Sequence, residues 1–89
     1  MSVTHNPVRS RYEMPTEHGL AIAEYRQQGD RLVFTHTEVP PKDQGKGLAA
    51  KLVDAALKDT HRRGLKIVPA CSYIVAYVRR HPEFDDSAR

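Results

Sequence analysis

The 89-residue sequence predicts an α+β domain. An N-terminal antiparallel β-meander precedes a β-α-β-α unit, forming one central sheet with helices packed on it. Three observations predict this. Apolar and polar residues alternate with period two through 20–39, interrupted by a glycine turn at QGD (28–30). After Pro40 and Pro41 the period becomes helical, from Gly45 to Arg63. A short apolar, β-branched run, LKIVPAC (65–71), then follows Gly64.

In chain order, residues 1–7 read as a loose start with Asn6-Pro7 as a turn signal. Residues 8–14 read as a first strand, broken by Pro15 through Gly19. LAIAEYRQ (20–27) places Leu20, Ile22 and Glu24 on one face and Ala21, Ala23 and Tyr25 on the other. RLVFTHTEV (31–39) is rich in β-branched and aromatic residues. Strict alternation puts Leu32, Phe34, His36 and Glu38 on one face, and Val33, Thr35, Thr37 and Val39 on the other. In the helix, Leu48, Ala49, Leu52, Val53 and Ala56 form an apolar stripe. Arg62 and Arg63 suit the negative end of its dipole, and Gly64 supplies the left-handed residue past its end. Ser72 reads as the N-cap of a last helix, 73–80, which Pro82 ends, with Phe84 folded back. A strand, helix and strand with short links make a right-handed crossover with parallel strands. Glu38, Val39, the turn 42–47 and Cys71 then converge at one sheet edge, where open α/β sheets bind ligands.

The length fits one domain, 1–89, with its core at about 8–84. The 39% hydrophobic and 28% charged residues are the balance of a soluble globular chain. No apolar run reaches the ~20 residues of a membrane span, and MSVTHNPVRSRYEM lacks the apolar core of a secretory signal. One cysteine excludes an internal disulfide and places the expected compartment in the cytoplasm. A net charge of +3 is mild, and nucleic-acid binding is not expected from it. The five histidines lack helix ligand spacing and a second cysteine, so no metal is expected.

The glycine-rich turn PPKDQGKGLAA (40–50) carries the functional signal. Glycines at 45 and 47 let a ligand approach the backbone, and a helix start offers unpaired N–H groups to an anion. Lys46 adds positive charge. Walker A would need G-x-x-x-x-G-K-[ST], which the chain lacks. GKGLAA (45–50) matches the dinucleotide fingerprint G-x-G-x-x-[GA], but no acidic residue follows at 64–72 and the chain is too short for two mononucleotide halves. QGKGLA (44–49) matches Q/R-x-x-G-x-G/A at Gln44, Gly47 and Ala49.

With its flanks, HTEVPPKDQGKGLAAKLVDAAL resembles the acetyl-CoA-binding segment of the GNAT superfamily of N-acetyltransferases. IVPACSYIVAYVRRHPEF (67–84) is similar to the minimal, single-domain branch of that superfamily. The resemblance covers residues 20–84. It implies a GNAT-like fold and acetyl-CoA as co-substrate. It further implies that the backbone of Gln44, Gly45, Lys46, Gly47, Leu48 and Ala49 holds the pyrophosphate, and that Glu38 and Val39 lie along the pantetheine arm. Ser72 and Tyr73, at the last strand–helix joint, complete the implied cofactor set. Many members close with N-x-x-A-x-x-x-Y-x-x-x-G-F. Aligning on Phe84 puts Ser72 at the Asn and Arg79 at the Tyr that often protonates the leaving thiolate, with Tyr73 and Tyr77 nearby.

Acetyl transfer needs a held thioester, a neutral amine and a proton path. Glu38 and His36 are candidates for that path; either also reads as a rim or structural residue. Cys71 ends a buried strand at a helix start, where a thiolate is favoured and can take and pass on an acetyl group. Its alternative is a small apolar packing residue. The expected function is acetyl transfer to an amine, small or on a protein, by a monomer. The competing readings are a CoA-binding module without turnover and a basic adaptor for nucleic acid.

Overall fold

The computed structural model describes residues 2–87. The strands are β1 (Thr4–Asn6), β2 (Arg11–Thr16), β3 (Gly19–Gln28), β4 (Arg31–Glu38) and β5 (Lys66–Pro69). They form one sheet in sequence order. The first four are antiparallel; β5 runs parallel to β4, from Arg31↔Lys66 to Phe34↔Pro69. Helix α1 (Leu48–Arg62) crosses from β4 to β5, and α2 (Ser72–Arg80) follows β5. The meander followed by a β-α-β-α unit is thus present.

Parity places the core on one face. Tyr12 and Met14 of β2, Ala21, Ala23 and Tyr25 of β3, Leu32 and Phe34 of β4, and Ile67 of β5 are buried together. Against them pack Leu52, Val53, Ala56 and Leu57 of α1, Ile74, Tyr77 and Val78 of α2, and Phe84, which does fold back. The Tyr77 hydroxyl donates to Asp54 Oδ1 at 3.0 Å and ties α2 to α1. At the outer edge of β5, Asp86 Oδ2 accepts the Ile67 N–H at 2.7 Å and faces His61 Nε2 at 2.8 Å. A ladder donor on an edge strand is thereby satisfied without another strand.

Several boundaries differ from expectation. The start at 4–6 is a strand, because His5 stacks on Tyr12 with ring centroids 4.5 Å apart and accepts from the Tyr25 hydroxyl at 2.5 Å. Pro15 does not end β2; it pairs with Leu20 and the turn comes two residues later. Helix α1 begins at Leu48, since Gly47, at φ 76°, sits in the left-handed region as its N-cap. The N-cap of α2 is Cys71, not Ser72: Cys71 is extended and its carbonyl accepts the first helical N–H, from Val75, at 3.0 Å.

The largest correction lies in β4. Tyr25 pairs with Phe34 but Glu24 pairs with His36, so Thr35 is an extra residue, a β-bulge. Beyond it the alternation is reversed. Thr37, paired with buried Ala23, turns to the helix face. His36 and Glu38, paired with Glu24 and Ile22, turn to the opposite face, away from Leu32 and Phe34.

Candidate functional site

The bulge coincides with the end of β4–β5 pairing. The Ala70 N–H reaches Phe34 O at 3.0 Å, and no ladder pair joins the strands beyond it among the described residues. β4 continues to Glu38, so its last residues have an edge facing no strand. Such an edge is a template for an extended, hydrogen-bonding ligand.

A cleft of about 230 Å³ opens beside this gap, lined by Val39, Asp43, Gln44, Gly45, Gly47, Leu48, Ala49, Ala50 and Tyr73. Most of the residues expected to contact the cofactor therefore share one cavity. A 3₁₀ turn over Pro41–Asp43 leads into it, with the Asp43 N–H on Pro40 O at 2.8 Å. The next backbone bond after Gln44 N–H to Pro41 O is Lys51 N–H to Gly47 O. The amides of residues 45–50 between them have no such partner among the described residues. Gly47 contributes no side-chain cap, so the helix start is left for a ligand to satisfy. Gly45 and Gly47 both have positive φ, at 81° and 76°, and a Cβ at either would meet open space. Gln44 Nε2 donates to Val39 O at 3.2 Å, which braces the strand exit.

The remaining predicted residues divide by face. Cys71 is half-buried against the core, with its Sγ 3.6 Å from Thr37 Oγ1. His36 and Glu38 are exposed on the opposite face, joined Nε2 to Oε1 at 3.1 Å. The structure thus pairs His36 with Glu38 and Cys71 with Thr37, on the two sides of β4. Ser72 is exposed in the first turn of α2. Tyr73 lines the cleft and burial raises its pKa, whereas Tyr77 is buried, its hydroxyl bound to Asp54 and its pKa pushed up to about 12 by burial and then by that bond.

Sequence reasoning missed Asp43. Its side chain is fully buried under the glycine turn. One oxygen accepts the His18 N–H at 3.0 Å; the other accepts His18 Nδ1–H at 2.8 Å and Lys46 Nζ at 3.1 Å. The His18 ring first, with the His18 N–H and Lys46, holds its carboxyl well below the usual range, against the effect of burial. Lys46 also lies 3.6 Å from Glu17 Oε1. The Lys46 charge is therefore paired. An Asp in a polar turn reads as solvated, and His18 is 25 residues distant, so no local pattern signals the pair.

The family model described as GCN5-related N-acetyl-transferase matches residues 11–87, the bulged strand, the glycine turn and both helices included. The chain belongs to this family. Among relatives, the chicken and human proteins named NATD1 are each 39% identical over 66 residues, 73% of this chain. The match spans 60% of the chicken and 58% of the human protein, so this chain corresponds to somewhat over half of their length. The solution structure of a GCN5-like protein from Staphylococcus aureus superposes with a TM-score of 0.67 at 20% identity, covering 96% of this chain and 84% of that one. It shows the same GNAT-like fold. Among the described residues, no helix is long and apolar enough to cross a membrane.

Proposed function

We propose that this family member is an acetyl-CoA-dependent N-acetyltransferase acting on an amine. The observation that carries the reading is the cleft at the end of β4–β5 pairing, floored by the unpartnered amides of residues 45–50. Those amides, from Gly45 to Ala49, suit a pyrophosphate. Gly45 and Gly47 leave room for it. The free edge of β4 from Thr35 to Glu38, with Val39 just beyond it, suits the amide groups of a pantetheine arm, and Tyr73 with Leu48 and Ala49 supplies an apolar wall.

The arm would run toward the joint where Cys71 and Thr37 meet. From the other side of β4, His36 and Glu38 offer a hydrogen-bonded route to solvent for the amine proton. Two routes are open to this chain: direct attack by the amine, or transfer through the Cys71 thiolate. Tyr73, not Tyr77, has its side chain on the cleft where a leaving thiolate would collect a proton. The described chain has one partly buried free cysteine, in keeping with a reducing compartment such as the cytoplasm, and we take it to act as a monomer.

The test is a thermal scan with millimolar acetyl-CoA, with NAD as control. A ligand that binds only the native state stabilises by about 2.7 kcal/mol at a hundredfold excess over Kd. A shift with acetyl-CoA alone is expected. No shift, or an equal shift with NAD, defeats the reading. Free-thiol release with a panel of amines then separates an acetyltransferase from a CoA-binding module without turnover.

A further inference from the structure

The glycine turn contains a paradox. Beneath a site suited to a phosphate dianion lies a buried carboxylate, Asp43. Burying a charge is tolerated only when it is paired and hydrogen-bonded. Here the partners come from two segments. His18, on the turn between β2 and β3, grips both carboxylate oxygens through its N–H and its ring; Lys46, inside the glycine turn, closes over one of them. The ligand atoms of Glu17, His18 and Asp43 lie within 4.8 Å of one another, the spacing of a cation site, and the Lys46 ammonium is the cation there. A separate contact fixes the same two segments. A Cβ at Gly19 would come within 3.1 Å of Pro40 Cγ, so the β2–β3 turn is packed tightly on the exit from β4.

If Lys46 swung out to a phosphate, Asp43 would lose that ammonium as a dianion arrived. Like charges would then face each other across the turn, one of them on a buried carboxylate. With Lys46 in place, Asp43 is neutralised and the turn is held open. We propose that Asp43 is a positioning residue of the phosphate turn, and that Lys46 stays on Asp43 while the backbone amides of residues 45–49 meet the phosphates. This rests on the reading that the turn holds the pyrophosphate of CoA.

NMR titration of the full chain tests it, with CoA and with S-acetylpantetheine, which lacks the pyrophosphate. Binding of CoA by the unaltered protein comes first; its absence overturns the functional reading and this proposal with it. Given binding, Asp43→Asn is expected to weaken CoA about tenfold, the loss of one charged hydrogen bond's worth of order, and S-acetylpantetheine by less than about twofold. An equal loss on both ligands makes Asp43 a general structural residue and overturns the proposal. Tighter CoA binding by Asp43→Asn means that Lys46 was being held back from the ligand, and overturns it too. Lys46→Met gives an independent arm. The salt dependence of CoA affinity should stay as in the unaltered protein, whereas removal of a phosphate-contacting cation lowers it. If Asp43→Asn does not fold, His18→Ala, which removes a half-exposed partner, is expected to show the same selective loss for CoA in smaller measure; loss on both ligands again refutes it.

Discussion

Gly47 and Gly29 offer a controlled perturbation of the turn. Both are left-handed, at φ 76° and 61°, and a Cβ at either would meet nothing within 4 Å. Alanine at either position thus costs backbone strain and no packing clash. That strain is about 1–2 kcal/mol. For a chain of this size each kcal/mol lowers Tm by about 4–8 °C, so each variant should melt about 5–15 °C lower. The two positions differ in what lies above them. Gly47 lines the cleft at the start of α1, whereas Gly29 sits in the β3–β4 turn, outside the cleft lining. A methyl on Gly47 would occupy the open space through which a phosphate approaches the amides. We expect Gly47→Ala to weaken CoA binding at least about tenfold, equivalent to about 1.4 kcal/mol, and Gly29→Ala to leave it unchanged. Thermal melts and calorimetric titration of both variants measure the two quantities separately. If Gly47→Ala binds CoA as Gly29→Ala does, no phosphate lies over Gly47, and the turn's role has been misassigned.

Phe34 is fully buried on β4, packed against Tyr12 and Tyr25 at ring-centroid distances of 6.4 and 5.9 Å. Phe34→Ala should cost about 3–5 kcal/mol in denaturant unfolding, and a loss under about 1 kcal/mol would contradict the packing. The His5 pKa is lowered, by burial first and then by Arg63, against Asp59, so the fold prefers neutral His5. Its contribution is present above the ordinary value of about 6.5 and is lost as pH falls below it, because the unfolded chain then binds more protons. Hydrogen exchange of the β1 amides, corrected for intrinsic rate, should therefore speed up between pH 7.5 and about pH 5, and His5→Phe should flatten that change. If Cys71 carries the acetyl group, acetyl-CoA alone should add one acetyl mass to the protein, and Cys71→Ala should lose transfer but keep CoA binding. No adduct, with an active alanine variant, would leave direct transfer and shift attention to His36 and Glu38.

The sequence by itself determined the elements whose signals are local. Period-two alternation and the QGD turn specified the β3–β4 hairpin, the 3.6 period specified α1, and a short crossover allowed only a parallel, right-handed β4–α1–β5 unit. The glycine turn was legible as well, because its chemistry lies in the backbone and in the two glycines that free it. What only the tertiary structure decided is what depends on pairing between distant segments. One extra residue at Thr35 reverses every side chain after it, since strand faces alternate with a period of two, and no residue type announces it. That reversal set Thr37 beside Cys71 and sent His36 and Glu38 to the far face. β1 exists because His5 finds Tyr12 and Tyr25, not because three residues prefer a strand. Asp43 is buried because His18, far along the chain, and Lys46, three residues on, enclose its charge. Local periodicity reports which face a residue seeks; whether a charge can be buried depends on partners that only the fold brings together.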